Sequence, residues 1–423
     1  MVRPFVHSWI LFSLMLASGG ACLDAKKSNP LDGDIPPLFV PRVKSPSGGE
    51  HLFPGTRHEI RWQPATRVID PVVTLQLASD ADTVTIARDV RNSGLYFWDV
   101  PNRPALSYRI RIVGQGGVGE SPGTFRIKPL PVTKPLDVGP EGGWAPSAFY
   151  DKVVFESNRT GNTDLWLLDR KTGDLSRLTT NPGFDGEAAW FKPGGKVMTY
   201  TTADSGGQKD VWIMIPAGRR AGQRFRITTT GGDHPAWQQT ESLDKLALAY
   251  IRPASPSSPS RQIFAMTLNT AINVLPIIAS PLTFATPPTA LTPQSSNSQD
   301  VMKSIAWCFV DGRNAFFYTT GSRSVARVDF AFQNYENVLI ESYALPIEFK
   351  PDRISVSPSG RWIAFSSDGD LWAASLKGLG PTPLTFGPEQ DEAPDWASDS
   401  EIVFQRRNAG VWELRTLQVN DPP

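Results

Sequence analysis

The phrase "DLWLLD" (164–169) returns down the chain as "DVWIMI" (210–215) and "DLWAAS" (370–375), and more loosely as "QIFAMTL" (262–268) and "GVWELRTL" (410–417). An internal repeat constrains a fold more than any bulk property. Each copy must be one supersecondary unit that buries its apolar faces only by stacking on its neighbours. Six copies align. Each has a segment ending in tryptophan, a turn with proline or glycine, an apolar strand, the Asp-x-Trp strand, and a last strand closing near Leu-Thr. Trp166 to Trp212 is 46 residues and Trp372 to Trp412 is 40. Four short strands per copy at such a period predict the blades of a β-propeller, six around one axis.

The copies differ in fidelity. Copy three ("HPAWQQT", "KLALAYI", "QIFAMTL") offers no clear fourth strand. Copy four ("SIAWCFVDG", "NAFFYTT", "VARVDFA", "NVLIES") is the least faithful, and copy six stops after three strands. A ring missing one strand would expose two sheet edges, an aggregation liability. The segment "VTKPLDV" (132–138) precedes copy one and parallels "TPLTF" (382–386). It is expected to supply the missing strand and fasten the ring, so the propeller domain spans 132–420.

Ahead of it, residues 41–128 hold short alternating strands separated by turn residues: "HEIRW", "VVTLQLA", "TVTIARD", "GLYFWDV", "YRIRIV" and "GTFRI". In "YRIRIV" the bulky Tyr108, Ile110 and Ile112 alternate with arginines, the pattern of a strand with one buried face. Such a run predicts an immunoglobulin-like β-sandwich. The fold class expected for the whole chain is therefore all-β, an immunoglobulin-like β-sandwich followed by a six-bladed β-propeller.

The first residues read as a targeting segment. Arg3 precedes the apolar run "WILFSLMLA" and the small residues "SGGAC". The run is too short to span a bilayer but suits an export signal over 1–21. Cys22 then resembles the lipidated cysteine of a bacterial lipobox, with Gly19 where leucine is usual. Plain cleavage after Ala21 is the other reading. Leu23 after the cysteine argues against inner-membrane retention, for which aspartate is the signal. Residues 22–40, polar and proline-rich, read as a tether. The other cysteine, Cys308 in "SIAWCFV", reads as a buried, inert thiol.

Two family resemblances follow. "SPSGGEHLFPGTRHEIRW" (45–62), "NSGLYFWDVP" (92–101) and "YRIRI" (108–112) resemble the KNH-like immunoglobulin-type domain of fungal cell-wall glucan-assembly proteins and bacterial surface proteins. That likeness implies a fold and an extracytoplasmic habitat. "WLLDRKTGDLSRLT", "DGEAAW" (185–190) and "DEAPDW" (391–396) resemble the WD40-like repeats of TolB-type propellers. TolB also carries an α/β domain that this chain lacks, so TolB's own partners are not implied.

Several functions are disfavoured. Charge is balanced, 42 basic against 42 acidic residues, so nucleic-acid binding, which needs a basic face, is not expected. The four histidines are scattered, which speaks against a histidine zinc site. There is no nucleophile elbow, P-loop or dinucleotide fingerprint, and no residues remain for an α/β-hydrolase domain. No enzyme activity, metal or cofactor is expected.

The binding candidates are the acidic residues that precede the innermost strands, at the channel mouth: Asp185, Asp233, Asp300 and Asp391, with Asp352 less well aligned. A ring of carboxylates could hold a divalent cation or grip a basic segment of a partner. The ordinary account is that each bonds turn amides at its blade. Tyr96 and Trp98 of the sandwich could stack on sugars, or belong to its core. The proline-rich segments 252–261 and 276–300 are expected to loop out of blade three. The reading is an exported, lipid-anchored envelope protein of the periplasm or outer membrane that binds a protein partner through one propeller face. Cell-wall or surface glycan binding is the alternative, and a hydrolase or lyase using the acidic ring the weaker one.

Overall fold

The computed structural model describes residues 40–67, 70–192, 194–219, 221–238, 247–253, 261–268, 284–290, 304–310, 313–319, 325–330, 339–343, 349, 351–376 and 380–419. The signal segment, Cys22 and Asp300 lie outside the described residues, as does the side chain of Cys308. Every regular element among the described residues is a β-strand.

The N-terminal module has two sheets. One contains Arg42–Ser45, Arg57–Gln63 and Leu95–Asp99. The other is built on Ala105–Gly114, flanked by Val72–Ala78 and Phe125–Ile127. Alternation sets the faces: Tyr108, Ile110 and Ile112 are buried, which leaves Arg109 and Arg111 on the opposite side. The core collects Ile60, Trp62, Leu75, Leu77, Trp98 and Phe125. Trp98 is thus a core residue, and Tyr96 packs at the core's margin. The exposed ring is Phe97, between them, with the Arg57 guanidinium 5.0 Å from its centroid.

From Thr133 onward the chain forms six four-stranded antiparallel sheets. Their inner strands are Trp144–Phe149, Asp185–Trp190, Asp233–Trp237, Ile305–Val310, Ile354–Val356 and Gln390–Ser398. We number these blades one to six. The apolar cores lie between blades. Val154, Leu165 and Leu167 of blade one pack with Trp190, Met198 and Tyr200 of blade two. On its other side, Val153 and Phe155 of blade one pack with Val403 and Leu414 of blade six. Blade one therefore joins the ring's end to its beginning. Thr133–Pro135 forms the fourth strand of blade six, antiparallel to Val411–Gln418 with Lys134 opposite Thr416. The Leu136 N–H extends the ladder to the Leu414 carbonyl at 2.9 Å. The sandwich also touches the ring: a Cβ at Gly55, whose φ is +79°, would stand 2.6 Å from the Phe386 ring.

Two expectations are corrected. The segment 276–300 is not all loop, since Phe284–Ala290 pairs with Arg261–Leu268 as the fourth strand of blade three. Its two prolines disguised it. An outermost strand needs its amides on one side only, and a register shift between Ala265 and Thr267 leaves Pro287 and Pro288 outside the paired ladder. Nor do the tryptophans share two registers throughout. Trp190 and Trp396 hold one position, with their indole N–H groups donating to the carbonyls of Ser147 and Ser355 at 3.0 and 3.2 Å. Trp144 precedes the bulge of blade one, so Ala148 takes the corresponding place. In blade six Leu414 is in register with Leu165 of blade one, which puts Trp412 three residues out of step with Trp166.

Candidate functional site: the axial channel and its mouth

The inner strands of blades one, two, three and six carry a bulge at one register. It falls between Trp144 and Ser147, Gly186 and Ala189, Asp233 and Ala236, and Glu392 and Asp395. Each bulge holds a left-handed residue: Ala145, Glu187, His234 and Ala393, at φ between 47° and 54°. A bulge bends its strand and re-aims a side chain, and a left-handed non-glycine residue persists only where its surroundings hold it. At three of the four the neighbouring blade does so. The Ala145 N–H donates to Gln405 Oε1 at 2.6 Å, Glu187 N–H to Glu156 Oε1 at 2.8 Å, and His234 N–H to Glu187 Oε2 at 2.9 Å.

Glu187, Asp233 and His234 thereby converge near the end of the channel where the inner strands begin. Their ligand atoms lie within 4.8 Å of one another. Two carboxylates and an imidazole are a donor set for a small cation. The protein supplies its own cations, however. Lys209 donates to Glu187 at 2.7 Å, Arg261 pairs with Asp233, and His234 Nδ1 lies 3.1 Å from Asp233. Burial alone would raise the pKa of Glu187, but His234 and Lys209 outweigh it and hold the carboxyl at about 2.

Farther along the same strands, Asp395 bridges four blades. It accepts from the Ala148 N–H at 2.7 Å, Ser355 Oγ at 2.7 Å and Lys192 Nζ at 3.0 Å. The cavity among these inner strands holds about 130 Å³, below the range usual for small-molecule sites.

The residues expected from sequence fall into two groups. Asp185 and Asp391 precede their tryptophan by five residues, Asp233 by four. One residue reverses the face of a strand. Asp185 is fully buried and accepts from Asn181 at 3.1 Å; burial, opposed by Thr202 and Asn181, raises its pKa. Asp391 is buried in a bidentate pair with Arg406, both contacts at 2.6 Å. Among the described candidates, only Asp233 joins the mouth cluster. Asp352 is exposed on its turn. Sequence reasoning missed Glu187, Glu156 and Asp395. Glu187 and Asp395 sit inside the motifs "DGEAAW" and "DEAPDW", but each occurs in one copy only, so the repeat pattern gave them no weight.

No protein-family model and no curated protein matches the sequence. Solved structures resemble it in fold. A structural-genomics protein of unknown function from Bacteroides thetaiotaomicron is 10% identical at a TM-score of 0.45, over 90% of this chain and 98% of that one. TolB from Acinetobacter baumannii is 17% identical at 0.42, over 77% of this chain and 66% of that one. An oligogalacturonate lyase in complex with manganese is 12% identical at 0.40, over 75% and 96%. TM-scores of this size carry nothing about activity.

Proposed function

We propose that the chain is a non-catalytic binding or scaffolding protein of the bacterial envelope, exported and lipid-anchored through Cys22, that holds a protein partner on one propeller face. The N-terminal sandwich, read with the KNH-like immunoglobulin-type domains, acts as its spacer. The observation that supports this most is the state of the acidic groups around the channel. Glu187, Asp233, Asp391 and Asp395 each meet a basic side chain of the chain itself. A carboxylate already neutralised and hydrogen-bonded is a poor general base, whereas a rigid mouth with fixed, paired charges suits recognition. The channel's small volume fits the same reading.

The test is affinity capture of the tagged mature protein from detergent-solubilised envelope, beside a truncated form lacking 132–423. Proteins retained only by the intact chain are expected. If both forms bring down the same wall glycan and nothing else, the sandwich is the working part and the reading fails.

A further inference from the structure

Four blades place an aromatic ring at one register of the third strand. Trp166, Trp212, Phe264 and Trp372 stand opposite Phe155, Tyr200, Tyr250 and Phe365 of the second strand. Three of these rings are covered from within the chain. The Arg159 guanidinium lies 4.7 Å from the centroid of Trp166, and that of Arg252 lies 3.8 Å from Phe264. Phe349 meets Trp372 edge-on at 4.7 Å. Among the described residues, no cation or ring covers Trp212.

The cause is one residue. Arg159 stands two positions after Ser157, which pairs with Asp164; two positions after Thr202, which pairs with Asp210, stands Asp204. Asp204 turns to its own loop, where Oδ1 accepts the N–H groups of Gly206 and Gln208, each at 2.9 Å. A cavity of about 560 Å³ is left against Trp212, walled by Asn181, Thr202, Asp204, Ser205 and Arg224. Arg226 also reaches it but is paired with Asp210 at 2.5 Å. Blade one has the same pair, Arg177 with Asp164 at 2.6 Å, and still accommodates Arg159 over its tryptophan. Arg224 is directed toward blade one, to the Leu178 carbonyl at 2.8 Å.

We propose that the blade-two cavity takes an arginine side chain presented by a protein partner, its guanidinium stacked on Trp212 as Arg159 stacks on Trp166 and its charge met by Asp204. The source of the arginine rests on the protein-binding reading above; the chemistry of the seat does not. Guanidinium is favoured over ammonium because it is planar, weakly hydrated and stacks on aromatic faces.

The test is calorimetric titration of the intact protein with Nα-acetyl-arginine amide and, separately, Nα-acetyl-lysine amide. Saturable arginine binding is expected, roughly tenfold tighter than lysine. It should vanish in Asp204→Arg, which restores the arrangement of blade one. It should weaken severalfold in Asp204→Asn, which keeps the turn cap and controls for folding. Equal binding of the two amides, no saturable binding, or full binding by Asp204→Arg at wild-type melting temperature would overturn the proposal. Envelope capture separates the two claims. If Asp204→Arg retains the same protein partner as wild type, the arginine seat fails and the protein-binding reading stands. If arginine amide binds as expected but wild type retains no protein, the functional reading fails, and with it the protein source of the arginine.

Discussion

Glu156, on the second strand of blade one, accepts the backbone N–H of Glu187 in blade two at 2.8 Å and the indole N–H of Trp144 at 2.9 Å. It is wholly buried, and that burial raises its pKa against the pull of the Glu187 N–H. One carboxylate therefore fixes the bulge that aims Glu187 into the mouth. Glu156→Ala would leave two part-buried donors without their acceptor, at up to about 1–3 kcal/mol each. Urea unfolding should show a loss in that range, with Lys209 and His234 losing their common partner geometry.

The closing strand contributes to stability through a few bonds. Leu136→Pro removes the N–H that reaches Leu414 and should destabilise by about 1–3 kcal/mol. The expected sign in limited proteolysis is earlier cleavage near 132–138 than in wild type. An unchanged digestion pattern would mean that the ring is held by its inter-blade cores alone.

Asp370 departs from its counterparts. Asp164 and Asp210 each meet an arginine from the fourth strand, Arg177 and Arg226, but Pro383 occupies that register in blade five. Burial first, then the nearby Asp391, push the Asp370 carboxyl up to about 7. Its folded pKa lies above its unfolded value, so the folded state binds the extra proton. The penalty is absent below the ordinary carboxyl value of 3.8 and grows as pH rises toward 7. Asp370→Asn should therefore raise the melting temperature at pH 8 and leave it unchanged at pH 3.5. Glu187 has the opposite sign. Held at about 2, it stabilises above its ordinary value of 4.5 and loses that contribution as pH falls toward 2. A pH series of melting temperatures on wild type, Asp370→Asn and Glu187→Gln checks both.

Trp396 is fully buried between blades five and six, with its indole N–H on the Ser355 carbonyl. Trp396→Ala should cost about 3–5 kcal/mol. Trp412, which stands outside the shared register and is partly exposed, should cost far less on the same substitution. Equal losses in thermal unfolding would contradict the register assignment.

The fold was legible because a propeller repeats its hydrophobic pattern six times, and errors in one copy are outvoted by the others. The Asp-x-Trp strands of blades one, two and five carry that pattern cleanly. What escaped is what repetition hides. Phe284–Ala290 broke the pattern with two adjacent prolines, which an outer strand tolerates at a register shift. The bulges at Ala145, Glu187, His234 and Ala393 shift side chains by one residue, and nothing in a one-dimensional alignment marks them. That shift put Glu187, a residue of a single copy, at the mouth. Asp233 differs from Asp185 and Asp391 for a simpler reason, standing four rather than five residues before its tryptophan. Arg159 and Asp204 lie at turns, where the copies differ most and register is hardest to count.

The most direct measurement is site-specific photo-cross-linking in intact cells of the source organism. One cross-linker replaces Gln390, the exposed first residue of blade six's inner strand, and another replaces Leu106, 81% exposed on the sandwich. The account predicts a discrete protein adduct from position 390 and none from 106. Adducts from 106 alone, or only glycan retained at both positions, would contradict it.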